Sequence, residues 1–107
     1  MLTNDFLGDN IARLGFGAMR LPIIDGDASN VDQATLDAMV DTAIKEGINY
    51  FDTAYPYHGG MSEIALGRSL ARYPRDRYFF ATKYPGHQIA DTYDPAVIFE
   101  EQLTKCG

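Results

Sequence analysis

The first thirty positions carry short apolar patches separated by turn formers, with no helical stripe among them. Phe6-Leu7 and Ile11-Ala12 flank Gly8-Asp9-Asn10, a pattern that predicts a β-hairpin turning over Gly-Asp-Asn. Residues 11–19 are apolar and glycine-rich. They read as an extended stretch whose backbone approaches something closely. Pro22 ends it, and Asp25-Gly26-Asp27-Ala28-Ser29-Asn30 reads as a polar loop.

From Asp32 the period changes. Leu36, Met39, Val40, Ala43 and Ile44 fall at helical spacing, and Gly47 stands where a helix C-terminus favours a left-handed residue. Residues 48–53 are rich in strand formers and read as a buried strand, followed by a turn-forming loop over 54–60. Ser62 is a candidate cap for a second helix, which carries Ile64, Leu66 and Leu70 towards Tyr73-Pro74. Residues 78–83 predict another strand, ended by Tyr84-Pro85-Gly86. Asp94-Pro95 opens a third helix, with Asp as N-cap, Pro at the first helical position and Gly107 as its stop. Its apolar stripe is Ala96, Phe99, Leu103 and Cys106.

Strands alternating with helices imply an α/β fold with a parallel sheet and right-handed crossovers. Either a doubly wound sheet or part of a (β/α)₈ barrel fits this order. A whole barrel takes about 250 residues, so the 107 residues here would supply a hairpin plus about three of the eight units. Unpaired strand edges and helices with half-covered apolar faces would follow. The chain stops at a helix end, where a fourth strand is expected to begin.

Composition narrows the function classes. Nine Lys plus Arg against 15 Asp plus Glu give a net charge of −6, the wrong sign for a general nucleic-acid binder. An anionic cofactor needs only a few placed basic groups and backbone N–H donors, so it stays compatible. Cys106 is the single cysteine, which excludes an internal disulfide and a cysteine-based metal cluster within these residues; a thiol at such a position is expected to be inert. The start of the chain has no basic segment followed by an apolar core, and no apolar run approaches the roughly 18 residues of a membrane span. The expected location is the cytoplasm.

Asp52, Tyr57 and Lys83 stand out by position. Asp52 and Lys83 fall at the C-terminal ends of predicted strands and Tyr57 on the loop after one of them. That rim is where parallel α/β folds build active sites. A strand-end Asp–Lys pair beside a tyrosine has chemical value, because a free phenol titrates near about 10 and an adjacent ammonium makes it a better acid. Spacing alone leaves a second reading open, in which Asp52 and Lys83 form a structural salt bridge and Tyr57 packs over it. Gly15-Phe16-Gly17-Ala18-Met19-Arg20 is similar to a dinucleotide fingerprint but has Arg20 at the third glycine position, and Pro22 precludes an immediate helix. It reads better as an extended segment that can border a ligand. His58 and His87, both on predicted loops, are the only histidines. Their separation and lack of a carboxylate partner argue against metal binding, and a catalytic part for either is not expected.

These pieces together resemble one family. Residues 47–57, Gly-Ile-Asn-Tyr-Phe-Asp-Thr-Ala-Tyr-Pro-Tyr, followed by Gly60-Met61-Ser62-Glu63 and Leu66-Gly67, resemble the signature region of the aldo-keto reductases. Residues 13–20 are similar to that family's first barrel strand and Ala81-Thr82-Lys83 to its third. The resemblance implies a (β/α)₈ TIM barrel closed at the bottom by an N-terminal hairpin, with residues 1–107 as the N-terminal part of the barrel domain. It implies an NAD(P)H-dependent oxidoreductase that reduces aldehydes and ketones without a metal, with NADP as the expected coenzyme and NAD the less frequent one. Asp52, Tyr57 and Lys83 match the family's catalytic residues. Tyr57 would protonate the carbonyl oxygen while Lys83, paired with Asp52, lowers the phenol's pKa. Cofactor contacts map onto Gly17, Ala18, Met19 and Arg20, with Asp52 near the nicotinamide ribose.

The family's fourth catalytic residue, a histidine on the fourth strand, would lie beyond Gly107, and neither His58 nor His87 takes its place. Most coenzyme-binding residues also belong to later strands, so the isolated chain is expected to lack reductase activity and to aggregate. The wording of residues 55–60 resembles a bacterial branch, some members of which carry a C-terminal iron–sulfur domain; a cluster is expected only if such a domain follows. Two alternatives accompany the enzyme reading. One is a non-catalytic binding or regulatory subunit, as in the potassium-channel β subunits of the same superfamily, and the other is a truncated remnant. The expected partner is a small carbonyl substrate, with no nucleic acid and no membrane; the physiological substrate and oligomeric state are left open.

Overall fold

The computed structural model describes residues 1–86 and 94–107. Its centre is a three-stranded parallel sheet in the order β3 (Phe16–Gly17), β6 (Tyr50–Asp52), β7 (Phe79–Ala81). Phe51 lies opposite Phe16 on one side and Phe80 on the other. Helices α1 (Gln33–Lys45) and α2 (Met61–Leu70) provide the connections, and α3 (Pro95–Cys106) follows β7. Two hairpins, β1 (Thr3–Phe6) with β2 (Asp9–Ala12) and β4 (Ile23–Ile24) with β5 (Asp27–Val31), and two short 3₁₀ segments, Tyr57–Gly60 and Arg75–Arg77, complete the described elements.

The core forms where the helical stripes meet the middle strand. Leu36, Val40 and Ala43 of α1 and Leu66 and Leu70 of α2 cluster with Phe51 and Leu21. Side chains at three- and four-residue spacing share one helix face, so each helix buries one stripe. Asp32 caps α1 by accepting from the Thr35 amide at 3.1 Å, as expected of an Asp before an apolar-periodic run. A polar seam joins α1 to α2: Arg72 pairs with Asp41 at 2.8 Å, while Ser69 donates to Asp37 and Tyr73 to Asp41.

The N-terminal hairpin is fastened to the start of β6. Asn49 accepts from the Ala12 amide at 2.8 Å and donates to the Asn10 carbonyl at 2.9 Å. The hairpin therefore caps the end of the sheet opposite Asp52.

Four sequence expectations need correction. The first hairpin turns over Leu7-Gly8, with φ 51° and 89°, and Asp9-Asn10 already belong to β2. The segment read as a polar loop contains a second hairpin, whose turn residues Asp25 and Gly26 have φ 54° and 70°. Positive φ at both turn positions matches the twist of two-residue hairpins, and Asp-Gly is a preferred pair for it. Ser62 does not cap α2: Gly60 holds that position and Ser62 is buried inside the first turn, bonded to the strands. Most of the expected apolar stripe of α3 faces outwards, with Phe99 55% and Leu103 51% exposed; only Cys106 of that stripe turns in, towards Glu63, and the helix seats itself through buried Gln102.

Candidate active site

The parallel register brings three strand ends to one rim, because Asp52 lies opposite Gly17 and opposite Ala81. Asp52 ends β6, Lys83 comes two residues after β7, and Tyr57 opens the short 3₁₀ segment Tyr57–Gly60. Strand-like hydrogen bonds continue past the sheet, from the Thr53 amide to the Ala81 carbonyl at 2.8 Å and from the Tyr55 amide to the Lys83 carbonyl at 3.3 Å. The side chains that follow thus project from an ordered rim.

Lys83 Nζ donates to both carboxylate oxygens of Asp52, at 2.8 and 2.7 Å, and to the Thr53 carbonyl at 2.9 Å. It stands 5.2 Å from the centroid of the Tyr57 ring. Partial burial tends to lower the lysine pKa, but the hydrogen bond and charge of Asp52, with Tyr57 adding to them, hold it above the ordinary value. The pair is well solvated, with side-chain exposures of 51% for Lys83 and 38% for Asp52. Exposed pairs contribute at most about 1 kcal/mol, so stability is a weak reason for this arrangement.

Met19, Ala54, Pro56, Tyr57, Lys83 and the Tyr84-Pro85 pair line an open cleft of 450 Å³. A larger apolar groove, of 620 Å³, runs along α1 past Leu14, Phe16, Met39 and Ile48 and contains none of the three clustered residues. Of the residues expected to contact a cofactor, Met19 is on the cleft wall and Gly17 neighbours Asp52 in register. Ala18 is fully buried; its amide donates to the Asp52 carbonyl at 2.8 Å and its carbonyl accepts from Ser62 at 3.3 Å. Its part is to fix the rim. Arg20 is exposed in the turn after β3 and is not among the cleft residues.

His58 is a clamp. Its Nε2 accepts from the Leu21 amide at 2.9 Å and its Nδ1 lies 2.7 Å from the Ala28 carbonyl, so the proton sits on Nδ1. The ring ties the loop that carries Tyr57 to the second hairpin. His87 lies outside the described residues. Among the described residues no group of three His, Cys, Asp or Glu could hold a metal ion, and no helix is long and apolar enough to cross a membrane.

Three contributors, Thr53, Glu63 and Gln102, have no part assigned from the sequence, and a fourth, Ser62, is assigned there only as a cap. Thr53 and Ser62 share a buried hydroxyl contact at 2.7 Å that joins β6 to α2. Glu63 and Gln102 lie buried beneath the rim. A signal existed for Glu63: it shares the helix face of Leu66 and Leu70, at spacings of three and seven, where a carboxylate is out of place.

Comparison with known proteins agrees with this geometry. The sequence profile of the aldo/keto reductase family matches residues 13–106. L-galactose dehydrogenase of Arabidopsis thaliana is 40% identical over 79 residues, covering 71% of this chain and 24% of the relative. The holo aldo-keto reductase of Bacillus halodurans superposes with a TM-score of 0.64 at 27% identity, over 92% of this chain and 33% of its own. An aldo-keto reductase of Klebsiella pneumoniae solved with NADPH gives 0.67 at 21% identity, over 91% and 32%. The chain therefore spans about a quarter of the curated relative's length and a third of the solved ones, and the matched portion is the N-terminal part of a TIM barrel. On this match and this fold, the chain belongs to the aldo-keto reductase family.

Proposed function

We propose that this segment carries the proton-donating end of an NAD(P)H-dependent carbonyl reductase, with Tyr57 as the acid and Lys83 and Asp52 as its tuning pair. The observation that supports this reading best is the ammonium of Lys83. It is held on both oxygens of Asp52 and lies 5.2 Å from the Tyr57 ring, on the wall of an open cleft.

The residues present suit the nicotinamide end of such a coenzyme. A Cβ added at Gly17 would meet nothing within 4 Å, so the backbone beside Asp52 is open to a flat ring. Met19 offers an apolar wall, Asp52 a hydroxyl acceptor and Arg20 a cation for phosphate, while buried Ala18 keeps their backbone in place. NADP is the coenzyme proposed, with NAD as the alternative, and when bound it supplies hydride to the carbonyl carbon of a small aldehyde or ketone. The chain's own residues handle the proton. Tyr57 delivers it to the carbonyl oxygen, Lys83 stabilises the phenolate left behind, and Asp52 keeps Lys83 charged and in place.

The test is turnover of a simple aldehyde with NADPH by the protein in which this segment is part of a complete barrel. Tyr57→Phe is expected to lose about a hundredfold or more while still binding the coenzyme. Unchanged turnover overturns the assignment, and coenzyme binding without turnover in either form would favour a binding or regulatory subunit.

A further inference from the structure

Helix α3 is seated through a polar side chain. Val97, Phe99 and Leu103 face outwards, whereas Gln102 is 4% exposed. Gln102 Nε2 donates to Glu63 Oε2 at 3.1 Å and to the Lys83 carbonyl at 3.0 Å. Both partners only accept, so the amide nitrogen with its two protons must face them and the side chain has one sensible orientation.

Glu63 is the anchor of this contact. It is fully buried on α2, where a carboxylate is costly unless surrounded by donors and paired. Its Oε2 also accepts from the Thr82 hydroxyl at 2.7 Å and from the Cys106 thiol at 3.7 Å. Lys105 Nζ stands 3.0 Å from Oε1, where no aligned hydrogen bond forms, so that contact is Coulombic. The network thus grips the two residues after β7: Thr82 by its hydroxyl and Lys83 by its carbonyl. Asp52 holds the other end of Lys83.

We infer that Gln102, oriented by the buried carboxylate of Glu63, is a positioning residue for Lys83. It fixes the backbone from which the ammonium reaches Asp52 and Tyr57. The inference rests on the reading of Lys83 as the tuning cation. It assigns α3 a part in the site, although no residue of α3 lines the cleft. A merely structural part would be different: the Glu63–Gln102 contact would dock α3 on α2 and leave Lys83 indifferent.

Two readouts on the complete barrel that contains this segment separate these. Stability is followed by urea unfolding. The state of Lys83 is followed by the NMR signal of its labelled ammonium, which exchanges slowly only while held, and by its titration midpoint. Gln102→Met keeps the size and removes the donor; the Lys83 signal should broaden and its midpoint fall towards that of free lysine. The exchange Glu63→Gln with Gln102→Glu rebuilds the contact between the helices but sets a carboxylate against the Lys83 carbonyl. It should recover stability relative to either single variant without recovering the Lys83 signal.

A Lys83 signal as sharp as in the wild type, in the exchanged form or in Gln102→Met, overturns the inference. Should Gln102→Met fail to fold, the exchanged form decides alone, and Gln102→Asn, too short to reach both acceptors, replaces it if that also fails. Neither readout depends on turnover. A Lys83→Met enzyme that kept full activity would sink the functional reading and leave the positioning result standing.

Discussion

The Lys83 ammonium meets Asp52 through both carboxylate oxygens, at 2.7 and 2.8 Å, although the two residues stand 31 positions apart. Parallel register makes this contact. Asp52 lies opposite Ala81, and two further residues of extended chain bring the lysine side chain back over the strand end. The pair is solvated enough to add little stability and close enough to Tyr57 to alter its surroundings.

A lysine whose pKa is raised by folding binds its proton more tightly in the native state. That stabilisation is complete below the unfolded value of about 10.4 and is lost as pH rises through the higher native value. The urea midpoint of the wild type should therefore fall towards that of Lys83→Met above about pH 10, with a constant difference from pH 7 to 9. A difference that grew with alkalinity would contradict the pairing.

Cys106 tests whether α3 is docked. Burial, with the charge of Glu63 adding to it, pushes the thiol up to about 12. Only the thiolate reacts with a disulfide reagent. Native Cys106 should react roughly a hundredfold or more slowly at pH 8 than in urea. Equal rates would mean that α3 does not rest on Glu63.

His58 carries two independent bonds on a backbone with φ 56°. His58→Leu leaves the Leu21 amide and the Ala28 carbonyl unpaired and puts a branched apolar side chain in a left-handed position. Loss of about 1–3 kcal/mol is expected. His58→Asn should cost less, since Asn tolerates that conformation and can still donate to Ala28. Equal losses in calorimetric or urea unfolding would remove the clamp from the account.

Among the described residues, the exposed Val97, Phe99 and Leu103 and the outer edges of β3 and β7 present apolar and unpaired surface. Self-association is the expected result. Light scattering should show mass rising with concentration, and Phe99→Glu with Leu103→Lys should reduce the rise. A concentration-independent monomer would contradict this.

Much of this was legible in the sequence, for reasons that differ by residue. Leu36, Val40 and Ala43 announce α1 because one period carries both the helix and its burial. Asp52, Tyr57 and Lys83 could be singled out because strand ends in parallel folds share a rim, and their meeting follows from register. The second hairpin was hidden by its polar composition: only Asp25-Gly26 after the apolar pair Ile23-Ile24 marked it. Gln102 was invisible for a deeper reason. The stripe of Phe99 and Leu103 looks like the buried face of α3, and only the tertiary placement of Glu63 makes a glutamine the residue that is seated. Ser62 was misread because a serine near a helix start can cap the helix or, as here, bond inwards to Thr53 and Ala18.

The central claim is that Tyr57 and Lys83 act as one unit, and a double-mutant cycle on hydride transfer in the complete barrel measures it. Single-turnover rates with NADPH and a simple aldehyde are compared for wild type, Tyr57→Phe, Lys83→Met and the double variant. Residues that work together give non-additive losses. The account predicts that each single change removes about a hundredfold or more and that the double variant is scarcely slower than the worse single one. Losses that simply multiply, or a Tyr57→Phe rate equal to the wild type, would contradict it.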